Sequence, residues 1–250
     1  EDGAPTYLAF DYRSDSFLRD TRFRSLCELA RSGATGEPRQ LADTVARHAG
    51  RAIDADVVLR CVTVTTRLEH TTPWAVPADS PLSHDMNALA PDLRQECVEL
   101  AFEHRARQWL ATLPVADQRD GVALFSAFCA TLGVADDTGA VAYEESIARA
   151  LRRVLGEIAT VRDGLVPLEK VAAAAQSVGS ITPVYFTHAQ AAERCGFVVF
   201  EPDEDGVTRR IRLLVNYDGH VLPQLAFALA FDELELTADN IAAQREKLAI

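Results

Sequence analysis

From about Asp92 to Arg162, apolar side chains recur every three or four residues, and this constrains the fold more than any other feature. Leu93, Cys97, Leu100, Ala101 and His104 share one face, as do Ile147, Leu151, Val154, Leu155 and Ile158. A stripe of that period buries one side of a helix and leaves the other wet. Pro114 and Gly133 divide the tract, so the spacing predicts helices over about 92–113, 117–132 and 141–162, with a further one near 168–177. At 250 residues there is chain enough for one large domain or two small ones.

Flanking segments read differently. Thr6 to Tyr12 is aromatic and alternating, which predicts a strand, and Ser14 or Asp15 then offers a cap for a helix to about Ser32. A second helix is expected over about 39–53. Asp56 to Thr66 is β-branched and predicts another strand. Thr71 to Pro91 carries Pro73, Pro77, Pro81 and Pro91 and reads as a long loop, a length that in compact domains is usually functional or mobile.

After residue 178 the period shortens. A strand is expected over 181–186, then a short helix opened by the capping box Thr187–Gln190 and closed at Cys195 by Gly196. Strands over 197–201 and 207–217 follow, then a turn at Asp218-Gly219, an apolar strand within 221–236 and a closing helix capped by Thr237. The expected fold is α+β: a mainly helical region, 1–178, with strands near 6–12 and 56–66, and an antiparallel β-rich region, 179–250.

The net charge of −12 opposes nonspecific binding to nucleic acid. Of 25 basic side chains only Lys170 and Lys247 are lysines, a bias read as coding background unless an arginine finds a bidentate carboxylate. Five cysteines, Cys27, Cys61, Cys97, Cys129 and Cys195, lack any CxxC spacing and read as reduced, buried thiols in a cytoplasmic protein. No apolar run reaches membrane-spanning length, so no membrane association is expected. The chain starts at Glu1 with Met86 as its one methionine, and is expected to be processed, trimmed or a fragment.

The common nucleotide, hydrolase and zinc motifs are absent, so no cofactor and no metal is expected. Glu96, Glu99 and Glu103 read as a solvated acidic face, since His104 lies three residues from none of them. Thr187 to Gly196 resembles the first helix of excisionase-type helix-turn-helix domains, which implies a recognition helix after Gly196, where the chain is strand-like and acidic. Tyr7 to Asp15 is similar to the opening strand and loop of some TIR-like domains, which implies a run of alternating parallel strands.

On these grounds the favoured function is a noncatalytic interaction or assembly protein that binds a protein partner or itself, through Leu225, Phe227, Leu229 and Phe231. The alternative is a small-molecule enzyme at the 71–91 loop, with His84, Asp85 and His70 moving protons and Arg67 holding an anion. A second alternative is a nucleic-acid-binding regulator using residues 187–217, where Arg209, Arg210 and Arg212 follow an acidic turn. Duplex DNA binding is not expected, because those arginines pair more simply across the hairpin. The identity of any small-molecule ligand stays open.

Overall fold

The computed structural model describes residues 7–10, 16–33, 38–49, 53–114, 120–134, 138–164, 175–189, 192, 194–199, 211–234, 242–244 and 247–249. The chain forms two compact units, one of residues 15–155 and one of residues 1–14 with 156–250.

The 15–155 unit is helical. Asp20 caps α1 (Thr21–Ser32) by accepting from the Arg22 backbone, and α2 (Pro38–Arg47) follows. The expected strand over 56–66 is instead the middle of α3 (Ala55–Leu68), capped by the Asp54 carboxylate on Val57 N at 2.8 Å. Its β-branched residues hide a helical period: Val58, Cys61, Val62, Thr65 and Leu68 are all buried. Two half-buried hydroxyls, of Thr63 and Thr66, donate to carbonyls four residues back at 3.0 and 2.8 Å, so the threonines fit the helix. Packing on both sides overrides a weak local preference.

The expected loop over 71–91 is also largely ordered into helix. Pro73 opens a 3-10 turn, Pro73–Ala75, and Pro81 opens α4 (Pro81–Ala88) behind the Ser80 cap. Pro91 opens α5 (Pro91–Leu110). Proline at the first helical position loses no hydrogen bond, so three of the residues read as breakers are starts. The remaining helices fall close to expectation: α6 (Gly121–Leu132), capped by Asp120, and α7 (Glu144–Gly164) after a 3-10 segment, Thr138–Tyr143. Here the core is Phe23, Leu26, Val58, Leu68, Phe102, Leu110, Phe128, Ile147 and Leu151 with their neighbours. Trp109 stacks on Phe128, ring centres 5.3 Å apart, and Trp74 sits between Phe102 and Tyr143.

The other unit is mixed. Strand β1 (Tyr7–Phe10) pairs in parallel with β3 (Arg194–Phe197), Tyr7 opposite Arg194. Strand β2 (Gln176–Val178) pairs in parallel with β4 (Leu214–Tyr217), which turns back antiparallel into β5 (His220–Pro223). The expected Asp218-Gly219 turn is present, with φ of 51° and 83° at the two residues, the conformation that two-residue hairpins favour. A last antiparallel pair, β6 (Ala242–Gln244) and β7 (Lys247–Ala249), stands where part of the closing helix was expected. The class is α+β, but two of the four strand pairings are parallel, so an antiparallel β-rich region overstates it.

Three further expectations change here. Residues 181–185 form no strand, and the short helix α8 (Phe186–Ala189) ends well before Cys195, which lies on β3 with Gly196. Gly196 serves a close approach rather than a helix end: a Cβ there would stand 2.5 Å from the Leu225 Cα. The apolar stretch taken as the final strand is α9 (Leu225–Glu233), capped by the Gln224 side chain. Leu-Ala-Phe-Ala-Leu-Ala-Phe carries no polar residue to reveal a period, and its alanines favour helix. Ile181, Cys195, Phe197, Val215 and Leu222 form the centre of this unit's core. Of the features expected from the sequence, the helix start at 168–174, Thr237, Gln190, Arg209 and Arg210 lie outside the described residues.

Candidate functional site

In the 15–155 unit, the N-terminal ends of α3 and α5 and the junction after α4 line an open cavity of about 450 Å³. Its lining is Ile53, Asp54, Val57, Ala88, Leu89, Ala90 and Leu93. Leu89 and Leu93 are buried, while Asp54, Ala88 and Ala90 are exposed, so the site has an apolar floor and an open mouth. The single ionisable group is Asp54, and one of its oxygens is already held by the α3 backbone. The volume falls in the range of small-molecule sites, and an apolar wall with one polar group is their usual composition.

About three turns further along α3 and α5, charged groups replace this apolar surface. Glu103 on α5 is 2% exposed and accepts from Arg19 in a two-pronged pair at 3.0 and 2.8 Å. Arg107 and Arg153 approach the same carboxylate at 3.7 and 3.8 Å, and Glu96 stands 3.8 Å from Arg19. Glu69, equally buried, receives Arg31 at 2.8 and 2.6 Å. His104 lies 3.7 Å from Glu69 and 2.8 Å from the Gln108 amide. Burial, with Arg31, Arg107 and His70 nearby, pulls the His104 pKa below its ordinary value, against the opposite pull of Glu69. One turn before Glu103 on the same side of α5, Arg149 bonds Glu99 at 2.8 Å and also pairs with Glu145.

The acidic residues of α5 are therefore not a solvated face, and the arginines are not mere background. Bidentate guanidinium geometry on a buried carboxylate is the case in which lysine could not substitute. The sequence did hold a signal: Glu103 lies directly after Phe102 and two residues after Ala101, both on the apolar stripe.

The sequence candidates are scattered. His84 is exposed on α4, and Asp85 beside it pairs with Arg60 at 3.4 Å. Arg67 near the end of α3 and His70 in the turn after it are exposed. None of the four lines the cavity. On α9, Phe227 and Phe231 are buried against each other at 6.2 Å, whereas Leu229 is 42% exposed and Leu225 half-buried. Arg194 bonds both oxygens of Asp232 at 2.6 Å and lies over the Phe231 ring. The cavity residues were missed because small apolar residues in helix-start positions carry no chemical signature. Among the described residues no group of histidine, cysteine and carboxylate side chains is arranged to hold a metal, and no helix is long and apolar enough to cross a membrane.

What known proteins share with this chain is a domain rather than a reaction. Residues 39–249 match the CHASE2 domain, and the chain belongs to that family. CHASE2 domains are extracellular or periplasmic sensory domains of signalling proteins. No curated protein sequence and no solved structure gives a significant match. The family overturns three expectations: the self-associating assembly role, the alternatives offered beside it, and the cytoplasmic location. The physical reason is plain for the location. Buried thiols without paired spacing report only that cysteine packs as a small hydrophobe, which it does on either side of a membrane.

Proposed function

We propose that this chain is the ligand-sensing input module of a signalling protein and that the cavity beside Leu89 receives a small, mainly apolar molecule. The observation that carries this reading is the coincidence of a sensory-domain family match with an open, apolar-floored cavity of small-molecule size. Its walls come from two helix starts and a helix junction, so a bound molecule would bridge α3, α4 and α5 and tie their relative positions to occupancy. A ligand shifts such an equilibrium only by its differential affinity for the two arrangements.

The test uses indole and n-hexanol as probes, titrated against the full chain while methyl resonances of Val57, Leu89 and Leu93 are followed by NMR. Saturable shifts confined to these methyls, lost in Val57→Trp, support the reading. Shifts elsewhere, or none at millimolar probe, refute it.

A further inference from the structure

Helices α1, α3 and α5 each bring one cysteine to a shared interior, where Cys27, Cys61 and Cys97 are almost completely buried. Two of them meet. The Cys97 thiol donates to the Cys61 carbonyl at 3.8 Å. Contacts between Cys61 and Cys97 and between Glu69 and His104 keep nearly constant sequence offset, which makes α3 and α5 parallel neighbours. One turn toward the N-terminus from the two cysteines stand Val57 and Leu93, both in the cavity wall. The thiol pair therefore lies directly beneath the cavity and joins its two longest walls.

We infer that Cys61 and Cys97 are an oxidisable pair that closes into a disulfide between α3 and α5 when the domain matures outside the cytoplasm. The Cys97 thiol already reaches the Cys61 backbone across the contact between α3 and α5, which makes the two residues neighbours, as closure requires. The extracellular or periplasmic setting of the family supplies oxidising conditions, in which close cysteine pairs are oxidised. Timing follows from burial. The contact with Cys61 and the loss of water push the Cys97 thiol well above its ordinary pKa, so in the folded domain it holds almost no thiolate and does not react. Burial and the same contact thus place oxidation before α3 and α5 dock, in the newly exported chain.

The chemistry is dithiol–disulfide exchange with a protein disulfide oxidant. One cysteine thiolate attacks the oxidant's disulfide, forming a mixed disulfide and expelling one oxidant thiolate. The second cysteine thiolate attacks the mixed disulfide, forming the Cys61–Cys97 bond and expelling the other. Two protons leave the chain and two electrons pass to the oxidant, which ends as a dithiol. Once docked, the bond is shielded from reductant as the thiols were from oxidant, and it holds the cavity walls in register. The inference draws on the family's location and not on ligand binding, so failure of the indole and hexanol titration leaves it standing.

Full chain exported to a bacterial periplasm is purified folded, denatured in the presence of iodoacetamide and digested without reductant for mass spectrometry. Three of the five cysteines are expected to be alkylated, with the Cys61 and Cys97 peptides cross-linked, separable by reductant, and an intact mass about 2 Da below the thiol form. A Cys61→Ala variant should restore alkylation of Cys97 and leave Cys27 alkylated. Complete alkylation of Cys61 and Cys97 once the folded exported protein is denatured in iodoacetamide overturns the inference, and so does a bridge from Cys27 to Cys97. The parent protein alone decides between these results, whether or not the variant folds.

Discussion

Replacing Glu103 by Gln keeps the side-chain shape and removes one negative charge from the most enclosed ion cluster of the 15–155 unit. Three arginines converge on that carboxylate, and their exposures set how much each matters. Arg19 is 15% exposed and Arg153 20%, while Arg107 is 44% exposed and loses little because water screens it. Breaking a buried pair by removing one partner costs about 3–5 kcal/mol, most of it from the uncompensated charge left behind. With Glu96 still 3.8 Å from Arg19, the lower end applies, about 3 kcal/mol. At a urea slope of about 2 kcal/mol/M, the unfolding midpoint should fall by about 1.5 M. Urea titration followed by circular dichroism reads this directly. The control is Glu145→Gln, whose carboxylate is 79% exposed in its pair with Arg149 and whose loss should cost less than about 0.5 kcal/mol. The double variant Arg19→Met with Glu103→Leu should recover most of the loss, since an apolar pair can replace a buried ionic one. A Glu103→Gln midpoint within 0.3 M of the parent would show that the cluster is solvated in solution and refute the reasoning.

Other perturbations test separate parts of the account. Gly196→Ala should destabilise the 1–14 and 156–250 unit by about 2 kcal/mol or more, because the new methyl meets Leu225 backbone that cannot swing aside; an unchanged thermal midpoint would place α9 elsewhere. Phe231→Ala should cost about 3–5 kcal/mol and Leu229→Ser under about 0.5, a contrast that a strand with both residues on one face could not give. His104 has a lowered pKa in the fold, so the unfolded chain binds its proton first; stability should rise with pH from the folded value up to about 6.5 and be lost below. In His104→Gln the slope of thermal midpoint against pH should flatten in that window, and an unaltered slope would mean that another group carries it.

Where helices begin and end was written in local chemistry, and much of it could be read. The period over 92–162, the stops near Pro114 and Gly133 and the Asp218-Gly219 turn all depend on residues within a few positions of each other. Two of the segments read wrongly, 56–66 and 225–231, hide their period in different ways: the first is β-branched over most of its length, and the second is apolar at every position. What settled them was supplied from a distance. For α3 it was neighbours on several sides, and for α9 a cap at Gln224 with room for its first turn against Gly196.

The candidate site was harder to read, and the reason is the same non-locality applied to chemistry. Arg19 and Glu103 are 84 positions apart, Arg31 and Glu69 are 38 apart, and Cys61 and Cys97 are 36 apart. None of these pairs has a spacing that marks it, and each member looks ordinary alone. The segment with visible polar density lies instead around His84 and Asp85, where His84 is exposed and Asp85 pairs with Arg60. In a sensory domain that outcome has a physical basis. Catalysis needs reactive groups held together, and these often leave short motifs. Binding a small apolar molecule needs only a space between elements and helices able to shift around it. Such a space is defined by what packs around it, which is why Leu89 and Leu93 mean little in the sequence and much beneath the open mouth formed by Asp54, Ala88 and Ala90.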